Sequence, residues 1–474
     1  MTTDIIFTTV WLFFLQDYVA DVVKLQKEGL AFGNMKYTIK IKRYICDCPA
    51  RAYLKGIMGH NSSHGCEKCE QEGTSINRHM VFSSTSGTLR TNDSFKKKSD
   101  ADHHKTDSGL SELEETDFIK EFVLDPMHMI DGGIFKKFLV YIKDKGPPKC
   151  RLSGQELDKL SEKLIDSKRY IPAEFQRKPR SLKHFCKWKT REFRLVMLYL
   201  GPTIFQNIFP PQIFQFYLLL FCSIYILSSE DLVNTFLCKA ESFLKIFVEN
   251  ISANFGDYFL SYNVHSLLHI CDEVRQWGIL QDFTCYPFEN YLGSIKCLVR
   301  ASHSPLQQII RRLEEIDHVE SFGLQKQKLS ELLTKPHFNG PIGNWIDVEQ
   351  FEQFWFKNCL FALNSPNNCL ILMDKKVGIV RNIFRRTNGE IWFVLNLYQH
   401  QENLFDFPLP SSLFDIYKVK ELSHMLHYVP SWHVKKKCIL LPIDGNFFSV
   451  TPLLHGIDEG LVVFFFFFFF SSLR

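Results

Sequence analysis

Residues 41–69 read IKRYICDCPARAYLKGIMGHNSSHGCEKC, and they combine an isolated acid with half of a metal site. Residues 36–46 alternate polar and apolar side chains and are rich in β-branched residues, which predicts a strand. The residues after Asp47 predict a helix with Pro49 in its first turn, where a missing N–H costs nothing. Asp47 is therefore expected at the carboxyl end of a strand, where the functional groups of α/β folds gather.

Cys66 and Cys69 form a Cys-x-x-Cys pair, which supplies two of the four ligands of a structural zinc site. Candidates for the other two are His265 and His269, which lie one helical turn apart and so project from the same face. Two thiolates and two imidazoles would make a closed tetrahedral zinc site. The alternative is that the cysteines are unpaired loop thiols and the histidines are ordinary helix residues.

The composition indicates a globular protein in a reducing compartment. The chain has 474 residues, of which 45% are hydrophobic, and this is enough for two or three domains with a sizeable core. Its net charge of +4 does not by itself indicate a nucleic-acid partner. The 14 cysteines follow an N-terminus without a basic n-region, so most of them are expected to be buried thiols.

An apolar run at 213–227 raises the question of a membrane span. It is 15 residues long and contains Gln215, whereas about 18 to 20 residues are needed to cross a bilayer. A buried core helix is the better interpretation, and no membrane partner is expected.

The rest of the chain divides by texture. Residues 84–117 are polar and rich in turn formers, which predicts a loop or a disordered insertion. The chain then has helical patterns to residue 335, with 118–284 as a large helical insertion and 285–335 as a further helical region.

Residues 345–460 carry short β-branched and aromatic runs, so they predict a small C-terminal β-rich domain, either a barrel or a sandwich. Asn388-Gly389 and Asp444-Gly445 are strong hairpin signals within it. Residues 461–474 include seven consecutive phenylalanines without helix or strand periodicity, and we interpret them as a low-complexity tail from an artefact of the gene model.

Glu289 is the second acid of interest. It lies in YPFENYLGSIK at the start of a predicted helix, where an acid can simply favour the positive end of the helix dipole. The zinc site would nevertheless join the strand before Asp47 to the helix before Glu289. Two carboxylates brought together in this way are typical of a phosphoryl-transfer site, in which two Mg²⁺ ions lie about 4 Å apart.

Six segments, in this order, resemble the CACTA-like (En/Spm) DDE transposases and their animal relatives: CDCPAR, GHNSSHGCEKCEQEG, LDPMHMIDGG, RKPRSLKHFCKWKTREFR, YNVHSLLH and YPFENYLGSIKCLVR. The order of acid, Cys-x-x-Cys, His pair and Glu is also similar to the catalytic core of the V(D)J recombinase. The resemblance implies a partial RNase H-like fold over 1–83, followed by the helical insertion. It also implies nuclear localisation and double-stranded DNA as the partner, and it leaves a homodimer open.

The resemblance assigns roles to individual residues. Asp47 matches the second catalytic acid and Glu289 the third, and both would bind Mg²⁺. Asp125 and His128 match the Asp-x-x-His motif of the family, where holding the insertion in place is at least as plausible as catalysis. The structural zinc ligands of the family match Cys66, Cys69, His265 and His269.

Two positions depart from the family pattern. Cys48 stands where alanine is usual. The first catalytic Asp should lie on an earlier strand, but residues 15–30 predict a helix on which Asp17 and Asp21 are solvated. We therefore expect a truncated transposase that lacks strand-transfer activity as written. The alternative is a non-catalytic, zinc-stapled protein-interaction module.

A basic segment at 177–194 is the candidate DNA contact, because cations at this density can neutralise phosphates. Its aromatic residues Phe185, Trp188 and Phe193 could anchor a helix or stack on bases. The alternative is a solvated basic face on a core helix, and residues 299–312 add further positive charge. The predicted DNA-binding residues are Arg177, Lys178, Arg180, Lys183, Lys187, Lys189, Arg191 and Arg194.

Overall fold

The structure is a computed structural model that describes residues 2–321 and 331–455, with side chains from 15 to 318 and from 331 to 455. The predicted low-complexity tail, 461–474, lies outside the described residues. The chain forms two compact units. Among the described residues, unit 1 comprises 2–150 and 237–290, and unit 2 comprises 151–236, 291–321 and 331–455.

Helices dominate the chain before residue 322. The α-helices are α1 Thr2–Glu28, α2 Cys48–Lys55, α3 Asn92–Lys96, α4 Lys136–Val140, α5 Gly154–Ser167, α6 Thr190–Leu195, α7 Gly201–Ile204, α8 Pro211–Leu227, α9 Glu230–Glu249, α10 Ile251–Phe255, α11 Tyr262–His265, α12 Ile270–Trp277, α13 Tyr286–Leu298 and α14 Pro305–Ser321. The π-helical segments are Met127–Phe135, Tyr141–Lys145 and Val196–Leu200. The 3₁₀ turns are Ala101–His103, Pro148–Cys150, Lys168–Tyr170, Leu182–Lys187, Asp257–Phe259, Ser266–Leu268, Leu280–Phe283, Ser411–Phe414 and Ser431–His433.

The strands lie in two short hairpins and one large sheet. They are β1 Leu30–Phe32, β2 Met35–Tyr37, β3 Thr74–Ile76, β4 His79–Val81, β5 Leu332–His337, β6 Glu349–Phe356, β7 Cys359–Ala362, β8 Cys369–Leu372, β9 Val377–Arg385, β10 Ile391–Asn403, β11 Tyr417–Pro430, β12 Val434–Pro442 and β13 Phe448–Pro452. The predicted combination of a helical region with a C-terminal β-rich domain is confirmed. An RNase H-like core stays a prediction.

The strand predicted at 36–46 is formed only in part. Met35–Tyr37 pairs with Leu30–Phe32 in a hairpin, and Tyr44 makes a single parallel bridge to Phe122. A strand needs a neighbour for its backbone N–H and C=O groups. Among the described residues, the segment around Phe122 offers only two such bonds, from the amide of Tyr44 to the carbonyl of Glu121 and from the amide of Val123 to the carbonyl of Tyr44.

Helix α2 has Pro49 in its first turn, as predicted, and it ends at Lys55. The Asp47 carboxylate caps it by accepting the amide of Ala50 at 2.9 Å. Gly56 then ends the helix with φ +67°, a left-handed conformation that glycine adopts without a Cβ penalty. Asp47 therefore stands at a helix N-terminus, directly after an extended segment.

Residues 84–117 differ from the predicted disordered insertion. They form a loop with a short helix and a 3₁₀ turn, and they contribute Phe95, Leu110 and Leu113 to a core cluster that also contains Phe118 and Phe122. The polar composition hid these apolar side chains because they are widely spaced in the sequence.

The apolar run at 213–227 lies in α8, as a buried core helix of unit 2. All of its side chains except that of Gln215 are buried. Over the described part of the chain, none of the helices combines the length and the apolar character required for a membrane span.

The C-terminal domain of unit 2 is a closed barrel. Its strands pair in the order β10-β11-β13-β12-β8-β9, and β9 pairs again with β10, so the ring closes. Strand β6 extends from β9 and pairs with β5 and β7. Both predicted hairpins are confirmed, since Gly389 and Gly445 turn the chain with φ of +87° and +78°.

Candidate metal centre and acidic site

The four predicted zinc ligands come together in unit 1. Cys66 and Cys69 lie in a turn after α2, His265 ends α11, and His269 directly precedes α12. All four side chains are buried, and their ligand atoms lie within 4.8 Å of one another. The cluster could therefore hold a metal ion such as zinc.

The sulfur–sulfur and nitrogen–nitrogen distances match the edges of a zinc tetrahedron, and the three sulfur–nitrogen distances given below are close to them. Zn–S bonds of about 2.3 Å and Zn–N bonds of about 2.0–2.1 Å imply edges of about 3.8 Å between sulfurs, about 3.3 Å between nitrogens and about 3.6 Å between sulfur and nitrogen. The two sulfurs are 3.6 Å apart and the two Nε2 atoms 3.3 Å apart. Sulfur–nitrogen distances are 3.2 Å for Cys66–His265, 3.2 Å for Cys69–His265 and 3.7 Å for Cys66–His269.

The surroundings favour ligand forms that bind metal. Hydrogen bonding with Cys66 is the main cause that lowers the pKa of Cys69, to about 7, and this favours the thiolate. The imidazole of His265 stacks on Phe82, with ring centroids 5.4 Å apart, which fixes the ring plane.

Arg90, from the loop 84–117, holds the Cys-x-x-Cys turn in shape. Its Nε donates to the carbonyl oxygens of both Cys66 and Cys69 at 3.0 Å. Its NH2 group pairs with Asp100 at 2.7 Å. The loop that was expected to be disordered is thus part of the framework of the metal centre.

The residue after Cys66 carries a buried carboxylate that joins three elements. Glu67 accepts from Arg51 Nε at 3.0 Å, from Lys55 Nζ at 3.3 Å and from the Tyr262 hydroxyl at 2.8 Å. Burial alone would raise the pKa of Glu67, but Arg51 and Lys55 lower it to about 2. For Lys55 burial prevails, and its pKa falls to about 8.

Lys68 makes a second charged link from the same turn. Its ammonium pairs with Glu273 of α12 at 2.5 Å and donates to the carbonyl oxygens of Ile119 and Phe122 at 2.6 and 2.9 Å. Both charged residues between the two cysteines are therefore buried and partnered. They connect the turn to the same region as the histidines.

Asp125 is buried and saturated with hydrogen bonds. It accepts the amides of Met127, His128 and Cys285 at 3.2, 2.9 and 2.7 Å, and the Nδ1 of His128 at 2.6 Å. Burial would raise the pKa of Asp125, but the bonds from His128 and Cys285 lower it. Asp125 thereby ties the π-helical segment Met127–Phe135 to the start of α13.

Asp125, His128 and Cys285 also lie close enough together to hold a metal ion. Their chemistry argues against this, because the carboxylate is already occupied by N–H donors. Burial is the main cause that raises the pKa of Cys285 far above its ordinary range, so the thiol stays protonated. The geometry supports a positioning role for Asp125 instead.

The two predicted catalytic acids both contribute to the pKa of the same histidine. Asp125 is the main cause that raises the pKa of His128, and the charges of Asp47 and Glu289 raise it further. Asp47 is half-buried and Glu289 is exposed in the first turn of α13. Within the described residues, neither acid belongs to a compact group of three or more potential metal ligands.

The basic segment in unit 2 has both structural and exposed cations. Arg180 pairs with Glu192 at 2.6 Å, and Lys178 donates to the carbonyl oxygen of Pro172 at 2.9 Å. The four exposed side chains are Arg177, Lys183, Lys187 and Lys189, and the four half-buried ones are Lys178, Arg180, Arg191 and Arg194.

The aromatic residues of this segment belong to the core. Phe185, Trp188 and Phe193 are buried and pack on one another with centroids 5.3–5.7 Å apart. They anchor the segment, as one of the two predictions had it, and they are not free to stack on bases. Any nucleic-acid contact here would rest on the exposed cations.

Sequence reasoning missed the residues that surround the candidate metal cluster. Arg51, Lys55, Glu67, Lys68 and Glu273 resemble ordinary solvated charges in the sequence. The sequence did contain one indication of these buried charges. Glu67 and Lys68 lie between the two cysteines, in a turn that the zinc hypothesis places next to the two histidines.

Comparison with known proteins adds one match. Residues 336–453 match a family model described as a domain of unknown function, DUF8592. The matched segment begins within β5 and ends just after β13, so it coincides with the barrel and its extension. Neither curated proteins nor solved structures give a match.

Proposed function

We propose that this chain is a transposon-derived, nuclear DNA-binding protein of the DDE transposase type. The observation that carries the proposal is the zinc-type cluster, which joins the segment after Asp47 to the helices before Glu289. Those elements are far apart in the sequence. Nevertheless, after Asp125 as the main cause, the charges of both acids raise the pKa of His128. An acid, a Cys-x-x-Cys pair, a His pair and a Glu in this order belong to the resemblance on which the proposal rests.

The acids alone do not make a catalytic centre. Asp47 and Glu289 are the residues that would hold Mg²⁺, and bound Mg²⁺ would activate a water or a 3′-hydroxyl for DNA nicking and strand transfer. The described residues offer no third ligand grouped with these two. We therefore propose no phosphoryl-transfer step, and we expect this chain to lack strand-transfer activity.

DNA contact is proposed for the four exposed cations of the basic segment. Arg177, Lys183, Lys187 and Lys189 can neutralise phosphates without reading the sequence. If all four contact the backbone of B-DNA, the logarithm of the binding constant should fall with the logarithm of salt concentration with a slope of about −3 to −4.

The test is duplex binding by the full chain as a function of salt. The variant Lys183→Glu/Lys187→Glu/Lys189→Glu should bind a labelled duplex more weakly and with a shallower salt slope. The control, Lys96→Glu/Lys97→Glu/Lys98→Glu, makes the same change in net charge at another exposed lysine run. It should bind like the unmodified chain.

Two results would count against this proposal. Equal losses in both variants would mean that net charge alone attracts DNA. Absence of salt-dependent duplex binding in the unmodified chain would favour the zinc-stapled protein-interaction module.

A further inference from the structure

The loop that leads into the basic segment is held on the C-terminal domain by a buried ion pair. Residues 171–181 form neither helix nor strand, and irregular connections of this kind are generally more mobile than the elements they join. Within this loop, the Glu174 carboxylate accepts from Nζ of Lys437 in β12 at 2.9 Å on each of its two oxygens. Both side chains are fully buried, so the loop is fixed to the barrel at this point.

Neighbouring groups of the C-terminal domain complete this anchor. Lys437 also donates to the carbonyl oxygen of Leu360 at 2.5 Å and to Oδ1 of Asn367 at 2.7 Å. Glu174 accepts the amide of Leu360 at 2.8 Å. Asn367 in turn accepts the amide of Ala173 at 3.1 Å. The ion pair is thus embedded in a network of hydrogen bonds, as buried charges require.

A second anchor follows the basic segment. The Tyr199 hydroxyl accepts the amide of Leu454 at 3.2 Å and lies 2.9 Å from Nδ1 of His455, just after β13. Phe175 of the loop packs edge-on against the rings of both Tyr199 and His455, with centroids 5.0 Å apart in each case. The basic segment therefore lies between two points at which the chain is bonded to the C-terminal domain.

We infer that the C-terminal domain is a platform that holds the basic segment in place, with Glu174 and Lys437 as positioning residues for its contact with DNA phosphates. This inference rests on the proposed function, and it gives a role to the domain of unknown function that residues 336–453 match. A segment that must be ordered on binding loses affinity, whereas a segment that is already ordered does not. The platform would order the four exposed cations before DNA arrives.

The first test measures the anchor without DNA, by amide hydrogen exchange of the full chain. Lys437→Met leaves the Glu174 carboxylate buried without its cation, so peptides from 171–194 should exchange at least about tenfold faster, a larger change than in peptides from α8. The control Lys436→Met removes the neighbouring cation, whose pair with the exposed Asp231 is 3.8 Å long and weak, and it should have little effect. Unchanged exchange in Lys437→Met would overturn the inference.

The second test measures duplex binding by the same variants. Lys437 is buried, so its own charge cannot contact a phosphate and any loss must act through the basic segment. Lys437→Met should bind the labelled duplex at least about threefold more weakly, with a salt slope shallower by about one, because a released segment no longer holds all of its cations against phosphates. Lys436→Met should bind like the unmodified chain.

A conservative double variant separates positioning from folding. Glu174→Gln/Lys437→Met replaces the ion pair by neutral side chains of similar size, and it should recover part of the affinity and of the salt slope that Lys437→Met loses. Faster exchange in Lys437→Met with unchanged duplex binding would overturn the positioning role.

Tyr199→Phe tests the second anchor with a smaller change, which serves if Lys437→Met fails to fold. It removes the hydroxyl that Leu454 and His455 contact, and it should accelerate exchange in 190–194 and weaken duplex binding. If the unmodified chain does not bind duplex but exchange still accelerates in these variants, the proposed DNA contact is refuted and the platform is retained. If duplex binding is normal and neither variant changes exchange or binding, the platform is refuted and the DNA contact is retained.

Discussion

Glu67→Gln is the perturbation that most directly tests how the metal-binding turn is held. The Glu67 carboxylate is 1% exposed and faces the cations of Arg51 and Lys55, which are 3% and 0% exposed. Its amide replacement keeps the size of the side chain but removes the charge. The buried cations of Arg51 and Lys55 then have no anion at this position.

Two independent routes give the same magnitude. The difference between a pKa of about 2 in the folded chain and the ordinary 4.5 corresponds to about 3 kcal/mol in favour of the carboxylate. Removing one member of a buried ion pair generally costs about 3–5 kcal/mol. At pH 7, above both pKa values, this stabilisation is fully present.

Because the chain has two units, the assay should report on unit 1 alone. Amide hydrogen exchange of peptides from α2 and α12 should accelerate on the order of a hundredfold or more in Glu67→Gln. Peptides from the barrel serve as the internal reference. Glu70→Gln, an exposed acid one residue after Cys69, is the matched control and should have little effect.

A double-mutant cycle with Lys55 distinguishes the effect of the lost charge from the effect of losing the metal. Lys55→Met should cost less than Glu67→Gln, because Arg51 still pairs with Glu67 and burial already lowers the pKa of Lys55 to about 8. In the double variant it should recover part of the cost of Glu67→Gln, since one uncompensated cation is removed. A cost below about 1 kcal/mol for Glu67→Gln, or simple additivity, would refute the reasoning.

Three further predictions concern unit 1. Metal analysis should give one zinc per chain, and Cys66→Ser should lose both zinc and the folded unit; a folded, metal-free protein would contradict this. Gly133→Ala should cost about 1–3 kcal/mol, because the new Cβ would lie 2.5 Å from Asn263 Nδ2, whereas Gly154→Ala, with open space around it, should be tolerated in the same thermal unfolding assay. Asp125→Ala should lower the melting temperature by stranding buried N–H donors, at about 1–3 kcal/mol, and an unchanged melting temperature would argue against its positioning role.

The cluster of two cysteines and two histidines could be predicted from sequence, because neither pair alone offers the four ligands of a closed metal site. A Cys-x-x-Cys leaves two ligand positions open, and His265 and His269 offer two imidazoles on one helical face. The helix at 213–227 was likewise predictable, because it is too short to span a membrane and too apolar to lie on the protein surface. In both cases the local sequence pattern is compatible with few structures.

The remaining features depend on partners that no local pattern reveals. The alternation at 36–46 is typical of a strand, but a strand forms only where a neighbour supplies backbone partners, and the described chain supplies few. Glu67 and Tyr262 are 195 positions apart, and nothing at either position announces the other. The loop 84–117 shows the same limit, because Arg90 reaches the zinc turn from a segment whose composition indicates disorder.

The turn Cys66–Cys69 bears three different kinds of link to one region of unit 1. Metal ligation would join it to His265 and His269, Glu67 bonds Tyr262, and Lys68 pairs with Glu273. These links are coupled, because losing the metal would open a turn in which the charges of Glu67 and Lys68 are already desolvated. The acids Asp47 and Glu289 should therefore keep or lose their relative placement together with zinc.

The exposed cations at 177–189 belong to unit 2. A variant that loses zinc should therefore keep these cations in place. If duplex binding survives in a zinc-free variant and disappears in the lysine variant, then DNA contact and the acidic site are separate properties of this chain.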